Sequence, residues 1–496
     1  MLLATIILLT AVATIVMIYG AAATPEKSGD GSVAAAIAMA VFAATALMGV
    51  LGWNDTGDVF GALRNGPIAS LGVIILSVIG LLVTAGAAAH PAKYRAGPGE
   101  FFGFVIFTVL GGILMVASSN LLVLYLGIEL SSYSTYILVG YYRDDRYSNE
   151  AASKYFLLGA VASALLLFGI ALTYAGTVVG AGGTLQAAGS LDYTGIAQRL
   201  QYVTAQLGQP LNPLIWPGLA LILAGFGFKL ALVPFHSWTP DAYQGAPSMV
   251  AALLSVGPKA ASIIALASVL TNAFNTPQLV DAWRLALIWL AILSMTIGNL
   301  QAMNQTNVKR LLGYSSIAQL GYILIGVAVA AQAGFTALIF YVAGYALTNI
   351  GAFTTISALR DAGVGEEIED YAGLVHRSPA AAVLLGGFFM SLAGVPLLAG
   401  FLGKLLVFKS AVDAGLIALV IVAVINTVFA YYYYFRVIVQ AFLAEPRATT
   451  PVSLNPTAVT ALTVALAGVL LLGIYPTGVL GFIESAVKTL PVLALR

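Results

Sequence analysis

The stretch Pro217-Gly-Leu-Ala-Leu-Ile-Leu-Ala-Gly-Phe-Gly-Phe-Lys229, continued by Leu-Ala-Leu-Val-Pro-Phe-His236-Ser-Trp-Thr-Pro-Asp241, decides the fold. An apolar helix ends in a lysine and prolines interrupt it, and the following apolar run meets Lys259 directly after a proline. A lysine on a broken helix is tolerated in lipid only where it lines a protein-buried or wet cavity. We therefore interpret the stretch as the centre of a path for protons or ions across a membrane.

Composition places the whole chain in a membrane. The 496 residues are 60% hydrophobic and 8% charged, whereas soluble domains carry roughly 25% charged residues. Apolar runs of about 20 residues, enough to cross a bilayer, recur from end to end and number about fourteen. The net charge of +1 disfavours a nucleic-acid partner, and the absence of cysteine excludes disulfides and thiolate-bound clusters. The prediction is an all-α integral membrane protein.

The ionisable residues inside the apolar runs are the candidate site. Lys229, Lys259 and Lys404 each lie away from the predicted interfaces and next to a proline or glycine break, at a cost of roughly 2.5–3.5 kcal/mol each without a partner. Glu129 has no basic residue on its own helix, so it must face another helix, and Lys229 is the natural candidate. A nearby carboxylate favours the charged lysine and desolvation the neutral one. The pair is either a proton switch or a static ion pair.

A second broken segment, Ser391-Leu-Ala-Gly-Val-Pro396 through Gly403-Lys404, mirrors the first because its lysine follows the break instead of preceding it. This reversal suggests an inverted repeat, as in many transporters. His236 lies in the first break and is either a proton relay between the lysines or a hydrogen-bonded structural residue.

Two long connections carry weaker signals. The segment 181–212 holds four apolar residues spaced for one helix face, which fits either a short amphipathic surface helix or an irregular loop. The segment 359–378 is acidic. We interpret its charges as solvated, with contact to a partner subunit as the other possibility. Inner loops carry more lysine and arginine than outer loops if both termini lie outside.

Several motifs in order resemble one family, the antiporter-like membrane subunits of respiratory complex I. The first motif is the opening stretch, continued through Ala-Tyr-Gln-Gly-Ala-Pro247. Its residues resemble those of the subunit N branch, which is related to mitochondrial NADH dehydrogenase subunit 2. The supporting matches are Glu150-Ala-Ala-Ser-Lys-Tyr-Phe-Leu-Leu-Gly159, Asn304-Gln-Thr-Asn-Val-Lys-Arg-Leu-Leu-Gly-Tyr-Ser-Ser-Ile-Ala-Gln-Leu-Gly-Tyr322, the second broken segment, and Tyr432-Tyr-Tyr-Phe-Arg436.

The resemblance implies fourteen transmembrane helices with two inverted five-helix repeats, in which helices 7 and 12 are broken. The implied organisation is an N-terminal three-helix segment at 1–99, a first repeat at 100–272, a second at 283–442 and a C-terminal helix at 443–496. The proton-translocating residues that it implies are Glu129, Lys229, Lys259, Lys404 and His236.

The implied activity is that of a proton-translocating subunit of NADH–quinone oxidoreductase in a bacterial inner membrane, with both termini on the outer side. The resemblance implies no cofactor on this chain, because NADH, FMN, iron–sulfur clusters and quinone belong to the rest of the complex. The implied partners are the sister subunit M, small subunits such as K and J, and the lipid bilayer. The alternative is a stand-alone or Mrp-type cation/proton antiporter subunit, because the helix breaks and the buried lysines, taken without the motifs, are equally compatible with such a transporter.

Overall fold

A computed structural model describes residues 1–22, 31–89, 97–178, 188–448 and 450–490, and these are almost entirely helical. The helices are α1 (Leu2–Ala22), α2 (Ser32–Leu51), α3 (Pro67–Ala88), α4 (Pro98–Ala117), α5 (Leu121–Val139), α6 (Arg146–Gly176), α7 (Tyr193–Gln201), α8 (Ile215–Lys229), α9 (Trp238–Gly245), α10 (Ser248–Asn272), α11 (Pro277–Met303), α12 (Val308–Ala328), α13 (Gln332–Asp361), α14 (Leu374–Arg377), α15 (Pro379–Ala393), α16 (Ala399–Asp413), α17 (Ile417–Leu443), α18 (Pro456–Ile474) and α19 (Thr477–Val487).

Within the described residues, eleven of these helices are long and apolar enough to cross a bilayer on their own. The pair α18 and α19, bent by 75°, passes the same test when taken together and raises the number to twelve. The helices α8 and α15 are apolar but shorter, because each ends at a break. The chain is a multi-pass helical membrane protein.

A short β-hairpin departs from the all-α prediction. Strands β1 (Gly57–Val59) and β2 (Leu63–Asn65) pair antiparallel. Phe60 and Gly61 between them adopt positive φ angles of 57° and 66°. Strands of three residues are too short to show the alternating pattern that marks a strand in sequence. The hairpin connects two transmembrane helices and leaves the helical architecture unchanged.

The centre of the molecule is formed by α10 and α12. Almost every residue of both helices is buried, as expected for helices surrounded by protein on all sides. In contrast, α6 and α17 bury only one stripe each and expose long apolar faces. Polar side chains on α10 and α12 therefore face protein and not lipid, which makes these helices the natural site of a polar path.

Both predicted breaks are present. The first lies between α8 and α9 and contains Pro234, with Ala231 at a φ of 56°. The second lies between α15 and α16, where Gly394 and Leu397 have φ angles of 94° and 73°. Positive φ interrupts right-handed winding, and proline removes a backbone donor. Each break therefore frees carbonyl groups at the end of a half-helix deep in the protein.

The amphipathic segment predicted near 196–207 is helical, as one of its two interpretations required. Helix α7 continues into a π-helical turn at Tyr202–Gln206. Ile196 and Leu200 are fully buried against the protein, so the apolar face of α7 packs on the bundle. Residues 179–187 of this connection lie outside the described part of the chain.

Candidate functional site

The three predicted lysines are all buried. Their exposed fractions are 7% for Lys229, 2% for Lys259 and 3% for Lys404. A buried ammonium group must find hydrogen-bond acceptors, because desolvation without them is costly. Among the described residues, no carboxylate lies within 4.0 Å of any of the three. Each is satisfied by hydroxyl groups, carbonyl groups or aromatic faces.

Lys229, the last residue of α8, reaches across to α5. Its Nζ donates a hydrogen bond to Oγ of Ser132, which in turn donates to the carbonyl of Ile128. The rings of Tyr136 and Phe228 have their centroids 5.6 Å from Nζ, within the range of a cation–π interaction. The sequence reasoning did not single out Ser132, although it follows Glu129 by three positions, which is one helical turn.

Glu129 lies on the same turn of α5 but does not pair directly with Lys229 in this structure. It is partly buried and accepts a hydrogen bond from Ser163 of α6. The lysine instead donates to Ser132, one turn along α5. The static ion pair, one of the two interpretations, is therefore not formed. The negative charge of Glu129 acts on the ammonium group of Lys229 only by electrostatic attraction across this turn.

A small cavity joins Lys229 to the helix that carries Lys259. Its volume is about 10 Å³, room for roughly one water molecule. Ser131, Ser132 and Pro258 are among its lining residues. The hydroxyl of Ser131 is buried without a hydrogen-bond partner, and Pro258 cannot donate to the carbonyl one turn before it. The cavity therefore offers unused polar groups beside Lys229.

Lys259 is attached to α12. Its Nζ donates to Oγ of Ser316 at 2.7 Å and lies 5.4 Å from the ring centroid of Tyr243. The hydroxyl groups of Tyr243 and Ser316 are 3.2 Å apart. The ammonium group is thus held by one hydroxyl and one aromatic face, as in the surroundings of Lys229.

Polar side chains on α12 continue from Lys259 toward Lys404. Ser315 shares a hydrogen bond with the hydroxyl of Tyr434. Gln319 donates from Nε2 to that hydroxyl at 3.1 Å and to the carbonyl of Leu392 at 3.0 Å. Lys404 donates to the same carbonyl at 3.2 Å. A run of hydrogen-bonded groups therefore connects the serine pair on α12 with the second break.

Lys404 caps the half-helix α15. Besides Leu392, its Nζ donates to the carbonyl of Ala393 at 3.0 Å, and both carbonyls belong to the last turn of that helix. The carbonyl end of a helix carries partial negative charge, so it attracts the ammonium group. The break thus creates the acceptor site that the lysine needs.

His236 lies in the first break, partly buried and flanked by the exposed residues Pro234 and Ser237. No hydrogen bond joins it to the three lysines. The structure places Lys229 against the turn of α5 that carries Glu129, and both Lys259 and Lys404 next to polar groups that involve α12, but it gives the histidine no such contact. A relay role for His236 stays a prediction.

A second group of buried polar residues holds helices together. Asn299 of α11 donates to Oδ1 of Asn426 of α17 at 3.3 Å and to the hydroxyl of Tyr322 at 3.1 Å, and it accepts from Tyr433 at 3.0 Å. Such interhelical hydrogen bonds are typical packing contacts in membranes. This cluster borders the polar groups around Lys404: the ring centroid of Tyr433 lies 4.4 Å from that of Tyr434, and the ring centroid of Tyr322 lies 5.1 Å from Nζ of Lys404. Within the part of the chain that the structure describes, no group of acidic, histidine or cysteine residues is arranged to hold a metal.

Comparison with known proteins agrees with this geometry. Residues 118–430 match the family described as "NADH:quinone oxidoreductase/Mrp antiporter, TM". The chain is 40% identical to NADH-quinone oxidoreductase subunit N of Trichlorobacter lovleyi, over 88% of this chain and 87% of the relative. It is 36% identical to subunit N 1 of Solibacter usitatus, over 89% and 88%.

Two solved structures share the fold. A chain of respiratory complex I from Thermus thermophilus with bound aureothin superimposes with a TM-score of 0.76, at 30% identity, covering 96% of this chain and 98% of that one. A chain of the Mrp complex from Dietzia sp. superimposes with a TM-score of 0.80 at 21% identity, covering 97% of both chains. The second likeness concerns the fold alone.

Proposed function

The chain belongs to the NADH:quinone oxidoreductase/Mrp antiporter transmembrane family, in its subunit N group, and from this premise we propose that it carries protons across the membrane through its buried lysines. It is a membrane subunit of NADH–quinone oxidoreductase, where NADH oxidation in other subunits drives the transfer. The observation that carries the proposal is that three buried lysines each bond to a neutral acceptor: Lys229 to Ser132, Lys259 to Ser316 and Lys404 to the carbonyl of Leu392. We call these residues, with the polar groups of α12 between the last two, the polar line.

Each group in this line has a role that its contacts support. Lys229 lines the small cavity, which also reaches Pro258, the residue before Lys259, and a proton passes between the two lysines by way of this cavity. Ser315, next to the Ser316 that holds Lys259, begins a hydrogen-bonded run through Tyr434 and Gln319 to the carbonyl of Leu392, which also accepts from Lys404. The charge of Glu129, held by Ser163, sets how readily Lys229 keeps its proton. His236 lies in the break and serves as a relay there.

The finer organisation is part of the same proposal. Counting α8 with α9, and α15 with α16, as one broken span each gives fourteen spans, arranged as inverted repeats at 100–272 and 283–442. Segments 1–99 and 443–496 flank the repeats. Both termini lie on the outer side of a bacterial inner membrane. The partners are subunit M, small subunits such as K and J, and lipid, while FMN, iron–sulfur clusters and quinone reside on other chains.

A stand-alone or Mrp-type cation/proton antiporter subunit is the second candidate. The fold it shares with the Mrp chain favours it, but the relatives that match most of the chain at 36–40% identity are subunit N proteins. Purification in mild detergent separates the candidates: the first requires an NADH-oxidising peripheral arm in the same particle, and the second requires other antiporter subunits.

Proton transfer is tested in reconstituted complex by following NADH-driven acidification with a fluorescent dye. We expect Lys229→Ala and Glu129→Ala to lose pumping, because one removes a proton carrier and the other removes the charge that acts on it. The matched control is Lys409→Ala, since Lys409 is exposed on α16 just beyond Lys404. Full pumping by both altered complexes would refute the proposal.

A further inference from the structure

A buried lysine outside the proposed path caps the end of α9. Lys309 is 1% exposed, and its Nζ donates to the carbonyl of Ala246 at 2.8 Å. Ala246 directly follows α9 and precedes Pro247. The last carbonyls of a helix have no donor within the helix and carry partial negative charge. The ammonium group therefore satisfies the helix end that points away from Lys229.

Glu366 holds this lysine in place. Its Oε1 lies 3.4 Å from Nζ of Lys309 and 3.0 Å from a guanidinium nitrogen of Arg360. Lys309 is the second residue of α12, and a positive charge near a helix N-terminus is unfavourable unless it is compensated. The prediction that the acidic run is merely solvated is wrong for Glu366, which is only 17% exposed.

The opposite end of α9 is attached to the helix that carries Lys229. Trp238, the first residue of α9, donates from Nε1 to the carbonyl of Phe228 at 3.1 Å. Its indole ring stacks on Tyr155 with the centroids 4.3 Å apart. Phe228 directly precedes Lys229, so the position of Trp238 fixes the last turn of α8.

The middle of α9 is clamped between two helices. Asp241 accepts from Lys154 of α6 at 2.9 Å and from Arg310 of α12 at 2.5 Å. A Cβ atom added at Gly313 of α12 would lie 3.0 Å from Cα of Pro240, so α12 packs directly against the α9 backbone. With eight residues and contacts along its length, α9 moves as one piece.

We propose that Lys309, held by Glu366, is a positioning residue that keeps α9 seated and thereby keeps Trp238 in place beside Lys229. This proposal rests on the proposed proton path. The contacts follow one another along α9. The carboxylate of Glu366 pairs with the ammonium group of Lys309, which bonds to the end of α9. At the start of the same helix, the indole of Trp238 bonds to the backbone next to Lys229. Losing the ammonium leaves the carbonyl of Ala246 without its charged donor, so the end of α9 loosens while Asp241 and Trp238 still hold the rest of the helix.

The experiment compares Lys309→Met, Lys309→Arg and Glu366→Gln in the complete complex. We expect Lys309→Met to lower the number of protons pumped per NADH, with Glu366→Gln intermediate. Lys309→Arg restores the ratio because a guanidinium group donates to the same carbonyl. The control is Glu369→Gln. Glu369 pairs with Arg447 at 2.7 Å on the exposed surface and forms no ion pair with α9. A purely structural role would lower the amount of complex without changing this ratio.

A second readout follows α9 without using proton transfer. The chain has no cysteine, so a single Ser237→Cys at the exposed residue just before α9 reports the position of this helix through maleimide labelling of this chain. We expect Lys309→Met to raise the labelling rate by about tenfold, since the loss of one hydrogen bond to a charged group shifts a two-state equilibrium by roughly that factor.

The outcomes separate this proposal from the proposed function. Faster labelling together with a lower ratio supports it. Unchanged labelling overturns it, and so does faster labelling with an unchanged ratio. If the unaltered complex pumps no protons through this chain, the proposed function fails, while labelling still tells whether Lys309 seats α9. Should Lys309→Met prevent assembly, Glu366→Gln, which keeps the ammonium group, provides both readouts.

Discussion

Replacing Gln319 by leucine separates the cost in stability from the cost in transport. Gln319 makes three hydrogen bonds: to the carbonyl of Leu392, to the hydroxyl of Tyr434, and from the hydroxyl of Tyr341 at 2.5 Å. The carbonyl keeps Lys404 as a donor and Tyr434 keeps its bond to Ser315, so only Tyr341 loses its contact. Because interhelical hydrogen bonds in membranes average about 0.6 kcal/mol, the protein loses roughly that much stability.

Transport suffers far more than stability in this variant. Gln319→Leu interrupts the polar line between the α12 serines and Lys404. We expect NADH-driven acidification to slow by about 100-fold, the contribution of one positioned proton-transfer group. The matched control is Asn426→Leu, which also removes buried hydrogen bonds between helices, to Asn299 and Thr296, but not in the line.

The measurements are the dye signal in proteoliposomes and the midpoint of thermal dissociation of the purified complex. Both variants should lower the midpoint slightly and to a similar extent, and only Gln319→Leu should stop acidification. Equal transport by the two variants would refute the reasoning, because Gln319 would then be a packing contact like Asn426.

Two further predictions concern the cavity and the second break. Ser131→Val and Ser131→Thr have nearly equal volume, so their difference reports the hydroxyl beside Lys229; we expect threonine to retain proton pumping and valine to lose most of it. Equal pumping would remove Ser131 from the path. A Cβ at Gly400 would collide with the carbonyl of Ser391, whereas Gly478 has open space around it. Gly400→Ala should therefore reduce the amount of assembled complex on native gels, and Gly478→Ala should not; normal assembly of both would contradict the close approach at the break.

The sequence was sufficient to predict the breaks and the lysines because both depend on local chemistry. Proline and glycine interrupt a helix wherever it lies, and a lysine in an apolar run requires burial or water. These two rules located Lys229 and Lys404 beside disrupted helix ends. Lys259 is buried as predicted, but no break adjoins it, because α10 continues through Pro258. The four apolar residues spaced along 196–207 were less informative: Ile196 and Leu200 share a buried face of α7, whereas Val203 is partly buried and Leu207 is exposed beyond the end of that helix.

The partners of these residues were not predictable in the same way. Pairing Glu129 with Lys229 follows from charge alone, but the observed bond goes to Ser132, because the rotation of α5 against α8 decides which group of that turn meets Nζ. Similarly, the burial of Glu366 depends on α12 beginning next to the loop after α13. Neither arrangement leaves a pattern in one sequence. The three-residue strands β1 and β2 are likewise too short to produce a recognisable pattern in the sequence.

The structure uses two kinds of partner for its buried cations, and the difference bears on mechanism. Lys309 meets the carboxylate of Glu366, whereas Lys259 meets the hydroxyl of Ser316. Removing one member of a buried ion pair costs about 3–5 kcal/mol, so such pairs hold their protons and fix helices. A hydroxyl accepts from an ammonium group and, after a rotation, donates to a neutral amine. A lysine bonded to it can lose and regain a proton without leaving an unpaired charge. The ion pairs on α9 and α12 are therefore suited to holding the scaffold still, and the hydroxyl-bonded lysines to passing the proton.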